Sequence, residues 1–139
     1  MSNVEQVFQA RFELLLKSGL ASQASVSAAL GTLQQVEQHT GIVLDEALGA
    51  PLATHLAVTI KRLLQDEVLQ PAPDVLWLEL KDYPAQLELA NTLVAGLEQR
   101  LGIKIPSDES GFIALHLARI SIEAVNHPMT SNPSILEEG

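Results

Sequence analysis

Apolar residues recur along this chain at helical spacing, and glycine or proline breaks the pattern about once per helix length, at Gly19, Gly41, Pro71 and Pro73, Pro84, Gly102 and Pro106. A chain divided in this way builds helices that each bury one stripe, so the expected class is all-α. The first segment, Asn3 to Leu16, sets Val4, Val7, Phe8, Phe12 and Leu15 on one stripe, with Gly19 just beyond as its stop. The second starts near Ser22 or Ser25 as N-cap, turns Val26, Leu30, Leu33 and Val36 inward and ends at His39-Thr40-Gly41. These two are expected to pair as an antiparallel hairpin.

A third segment runs roughly from Leu48 to Val68, with Leu52, Leu56, Thr59 and Leu63 inward and Lys61, Arg62, Asp66 and Glu67 mostly outside. The stretch Gln70 to Lys81 contains Val75-Leu76-Trp77-Leu78-Glu79-Leu80, whose period alone does not separate helix from strand. A short helix or turn packed by Trp77 is favoured, because no second strand is on offer. The fourth helix begins at Asp82 as N-cap with Pro84 in its first turn, carries Ala90, Leu93, Leu97 and Leu101 inward and closes at Gly102. The fifth opens at Ile105-Pro106-Ser107-Asp108-Glu109, with Ser107 as a cap, and is apolar around most of its circumference from Phe112 to Val125. Such a helix belongs in the middle of a bundle. Residues 1–125 thus read as one domain, and residues 126–139, which hold two prolines and no periodicity, as a flexible tail.

The chain has 139 residues, 47% of them hydrophobic and 18% charged, enough to bury a single core. Eight basic against seventeen acidic residues leave a net charge of −9, a field that repels phosphate backbones, so no direct nucleic-acid partner is expected. With no cysteine there is neither a disulfide framework nor a thiolate site, which fits a reducing cytoplasm. The N-terminus MSNVEQVFQARF is no secretory leader, and the uncharged run Ser18 to Val36 is too rich in Ser and Gln to enter lipid, so no membrane partner is expected.

Two histidines interrupt apolar helix faces: His55 in Leu52-Ala53-Thr54-His55-Leu56 and His116 in Gly111-Phe112-Ile113-Ala114-Leu115-His116. An imidazole among leucines must be hydrogen-bonded or neutral, and one alone is most often a satisfied structural residue. Two on segments that must pack together call for more. Arg62 lies seven residues after His55 and Glu109 seven before His116, two turns along the same face in each case. An arginine fork can bind an anion placed on an imidazole, and a carboxylate can fix a ring tautomer. The bland alternative for both is a solvated helix end. His39 is explained as a cation at a helix C-terminus, and His127 lies in the tail. A metal site from His55, His116 and Glu109 is chemically conceivable but no spacing demands it, so no metal and no cofactor is expected. There is no glycine-rich phosphate loop, no H-E-x-x-H and no G-x-S-x-G, and the acid pairs are adjacent rather than helically spaced, so the chain does not read as an enzyme.

The run Lys81-Asp82-Tyr83-Pro84 through Leu89-Ala90 to Leu101-Gly102-Ile103, then Pro106, Asp108-Glu109 and Gly111 to His116, resembles the second half of a PTS regulation domain (PRD). In the first half, His55-Leu56 followed by Ile60-Lys61-Arg62-Leu63 is similar to that family's first histidine helix, and the resemblance covers about Ser22 to Val125. It implies a compact five-helix bundle, regulatory rather than catalytic, that acts in transcription control as a homodimer. It also implies that His55 and His116 are phosphoryl acceptors, with Arg62 and Glu109 as recurrent neighbours. The implied donors are proteins of the sugar phosphotransferase system, either its histidine phosphocarrier or a permease component. Family members usually carry two such domains behind an RNA- or DNA-binding module, whereas this chain reads as one stand-alone domain. Two expectations for its output stay open: it passes through a separate nucleic-acid-binding regulator, or the domain is a stand-alone sensor. The competing expectation is a constitutive interaction module whose histidines are structural.

Overall fold

The computed structural model describes residues 2–126, and every described element is helical: α1 Val4–Val7, α2 Gln9–Lys17, α3 Gln23–Thr40, α4 Glu46–Leu64, α5 Asp74–Leu80, α6 Pro84–Leu101 and α7 Ser107–Asn126. The all-α class stands, but the count of five becomes seven for two reasons. The first segment breaks at Phe8, which is fully buried and whose ring fills the space left by Gly49 on α4; a Cβ there would lie 2.6 Å from Phe8 Cζ. The Asp74–Leu80 stretch is a helix of its own, buried through Leu76 and Leu80. The tail read from residue 126 lies, from His127 onward, outside the described residues.

Helix borders follow side-chain chemistry. Ser22 caps α3, its Oγ accepting from the Ser25 amide at 3.1 Å while Ser25 Oγ accepts from the Ser22 amide at 2.9 Å, a reciprocal capping box. Gly41 ends α3 and Gly102 ends α6, at φ 73° and 67°, left-handed conformations that cost a glycine least. Asp45 caps α4 through its Oδ1 and the Leu48 amide at 2.7 Å, so the helix starts ahead of the Leu48 expected from periodicity. It stops at Leu64, short of Val68, where the backbone turns through Asp66 at φ 58°. Pro84 is the first residue of α6, and the residue before it is Tyr83, not Asp82, with no side-chain cap. Ser107 likewise is the first residue of α7 rather than its cap.

The buried apolar residues form one continuous cluster drawn from every helix, with Phe8, Leu33, Leu52, Leu56, Leu93 and Leu117 among its fully buried members. Helix α7 sits where an all-round apolar helix should, packed against α4, α5 and α6. The expected hairpin of the first two segments is replaced: α3 pairs mainly with α4 across the short connection 41–45, while α1 leans on α3 and α2 on α4. Among the described residues no helix is long and apolar enough to cross a membrane.

Candidate functional site

Helices α4 and α7 cross so that His55 meets three residues of α7 at once. Glu109, Phe112 and His116 stand at i, i+3 and i+7, one stripe of that helix. His55 Nε2 lies 2.9 Å from Glu109 Oε1, its ring centroid 5.8 Å from that of Phe112 and 5.1 Å from that of His116. The rings are tilted by 44° and 42°, so His55 rests across the stripe rather than stacking flat on either neighbour. Glu109 is buried at 4% exposure, whereas the His55 side chain keeps 23%. The bond therefore joins a sequestered carboxylate to a ring that solvent can still reach.

The expected neighbours are rearranged. Glu109 shares a helix face with His116, but its bond goes to His55 on the facing helix. Arg62 does not grip His55; its Nε donates to Glu67 Oε1 at 3.0 Å, with both side chains exposed. It nonetheless lines the same surface groove as Thr54, His55, Gln70, Glu109 and Phe112, within reach of an anion placed there. The connection 65–73 borders this groove and is tied to α7 by the Ala72 amide, which donates to Asp108 Oδ2 at 3.0 Å. Phe112 and Arg119 join the cluster without having been expected there. Their spacing from His116, one turn either side, is the sequence signal that points to them.

Burial pushes the His116 imidazole down from 6.5 to about 4, helped by the adjacent His55 and Arg119. His116 is accordingly neutral near pH 7 and keeps a lone pair on one ring nitrogen. Among the described residues no group of three or more His, Asp or Glu converges as a metal ligand set. His39 sits apart at the end of α3, its Nδ1 2.8 Å from the Gln35 carbonyl of its own helix. His127 lies outside the described residues.

Fold and site together define an all-helical domain in which a histidine from each of two packed helices meets the other ring to ring, one of them bonded to a buried carboxylate. Residues 31–120 match the family model of the PRD domain, and the chain belongs to that family. It is similar to "Protein GlcT" of Staphylococcus haemolyticus strain JCSC1435, 29% identical over 112 residues, which is 80% of this chain and 38% of that protein. It is 30% identical over 88 residues to "Protein GlcT" of Staphylococcus aureus strain JH9, covering 63% of this chain and 30% of the relative. The chain thus spans well under half the length of these curated relatives. No solved structure matches it.

Proposed function

We propose that residues 1–125 are one regulatory domain of transcription-control type that reports the state of the sugar phosphotransferase system through reversible phosphorylation of His55, His116 or both. The observation that carries this reading is the shared cluster: two imidazoles 5.1 Å apart, His55 bonded to a buried carboxylate and lining a groove open to solvent, and His116 behind it held neutral by burial. Neutral imidazole is a competent nucleophile toward phosphorus, and the added group carries close to two negative charges. At a half-apolar surface that charge either recruits an arginine, for which Arg62 is in place, or drives two surfaces apart. The domain is therefore a switch and not an enzyme. Its donors are the histidine phosphocarrier or a sugar permease component, it works in the cytoplasm as a homodimer, and a nucleic-acid-binding partner conveys its output.

Phosphotransfer tests this directly. The chain is incubated with phosphoenolpyruvate, the two general phosphotransferase proteins and candidate permease components, then assayed for acid-labile label beside His55→Ala and His116→Ala. Label that disappears in one or both variants names the acceptor. A folded chain that takes no label from any donor would instead be a constitutive interaction module with structural histidines.

A further inference from the structure

Glu109 touches His55 at one particular atom, and that atom choice has a chemical consequence. A neutral imidazole has one N–H and one lone-pair nitrogen, and an ionised carboxylate can only accept a hydrogen bond. The 2.9 Å contact between Nε2 and Glu109 Oε1 places the ring proton on Nε2 and leaves the lone pair on Nδ1. Nε2 is also the sterically closed edge, because it faces a side chain only 4% exposed inside the α4–α7 seam. The His55 ring keeps 23% exposure and lines the groove with Thr54, Arg62 and Gln70, so a donor approaches from the other edge. Resting on the reading that His55 accepts phosphate, we infer that it does so on Nδ1, with Glu109 as the positioning residue that sets the tautomer.

The step balances on the residues named. The Nδ1 lone pair forms a bond to the phosphorus of a phosphohistidine on the donor protein, and the donor's N–P bond breaks with its electron pair returning to the donor nitrogen. No proton has to leave His55 for that bond to form. The acceptor ring, now bearing phosphorus on Nδ1 and hydrogen on Nε2, is positively charged, and the Glu109 carboxylate compensates that charge or takes the Nε2 proton. Since the carboxylate gains interaction as the charge develops, Glu109 accelerates attack from Nδ1 and does nothing for attack from Nε2.

The test uses the full chain labelled with nitrogen-15, before and after phosphotransfer. In the unmodified chain near pH 7, NMR is expected to show His55 with hydrogen on Nε2 and an unprotonated Nδ1. After transfer, nitrogen–phosphorus coupling and isomer-specific antibodies are expected to show phosphorus on Nδ1. In Glu109→Gln the amide can donate to Nε2, which moves the ring proton to Nδ1. Labelling of His55 should then slow by about tenfold or more, the size of one lost charge-assisted hydrogen bond, and the product should shift to Nε2. A general loss of fold in that variant would slow labelling without reversing the tautomer or the isomer. An Nδ1–H tautomer in the unmodified chain, or phosphorus on Nε2 of its His55, overturns the inference. Correct tautomer with no label from any donor overturns the phosphorylation reading instead.

Discussion

His116 carries the clearest pH signature in the molecule. Its folded pKa is lowered from 6.5 to about 4, so above pH 6.5 the ring is neutral folded or unfolded and contributes no pH dependence. Between pH 6.5 and 4 the unfolded chain binds a proton there that the folded chain refuses. Stability from this group is therefore lost as pH falls through that window and is constant again below it. After allowing for partial solvent access the loss is about 2 kcal/mol. Urea unfolding curves at pH 7, 6, 5 and 4.5 should show it in the wild type and not in His116→Phe; parallel curves for the two would mean that the ring protonates freely in the folded state. The bond between His55 and Glu109 couples the two residues energetically. Removing Glu109 leaves His55 Nε2 without its acceptor, and removing His55 leaves a carboxylate buried without a donor, so each single change is costly for a reason the double change removes. A cycle of His55→Ala, Glu109→Ala and the pair should give a coupling of about 1 to 2 kcal/mol at pH 7, and additive effects would show that the contact contributes nothing.

At the scale of elements, α5 is the piece whose placement depends on a single missing side chain. A Cβ on Gly111 of α7 would lie 2.8 Å from Leu76 Cδ2 and 2.9 Å from Trp77 Cη2, so α5 packs this closely only because residue 111 has none. Gly111→Ala gains helix propensity but overpacks, and a net destabilisation of about 1 to 3 kcal/mol is expected, with a change in the fluorescence of the one tryptophan. Gly96, inside α6, supplies the opposite case, since a Cβ added there would meet nothing within 4 Å: Gly96→Ala should stabilise by about 0.5 to 1 kcal/mol. Equal effects of both substitutions in thermal melts would remove the packing argument. The breakers make most of these elements legible in the sequence, since Gly41, Gly102 and Pro84 stand at helix ends. Periodicity tells which stripe a helix buries but not which helix covers it. For that reason the sequence alone pairs α3 with the first segment rather than with α4, and Glu109 with His116, which shares its helix, rather than with His55, which arrives from across the seam. The break at Phe8 is hidden for a similar reason, because it answers to Gly49 on a helix far along the chain.

For the molecule as a whole, charge is the quantity that phosphorylation changes most. The chain carries −9 already, and one phosphoryl group takes it to about −10 while the Nε2 proton stays in the protein and to about −11 once that proton is lost to solvent. Placed on His55, as proposed above, the new charge falls at the open edge of the α4–α7 seam, where Arg62 lines the groove and is already engaged by Glu67. Two copies of such a surface repel one another more strongly once modified, unless Arg62 leaves Glu67 for the phosphate. Release of Arg62 offsets one charge of two, so the balance favours weaker self-association of the phosphorylated chain. Sedimentation of phosphorylated and unmodified protein should show the dissociation constant raised by about tenfold at low salt, roughly 0.05 M, and the difference should shrink toward 0.5 M as the screening length shortens. His55→Ala treated with the same donors should sediment as the unmodified chain if His55 is the acceptor that matters. Arg62→Ala should enlarge the effect, because it removes the partial compensation. Identical sedimentation of labelled and unlabelled protein at low salt would separate phosphorylation from assembly and place the output of the switch at a hetero-partner instead.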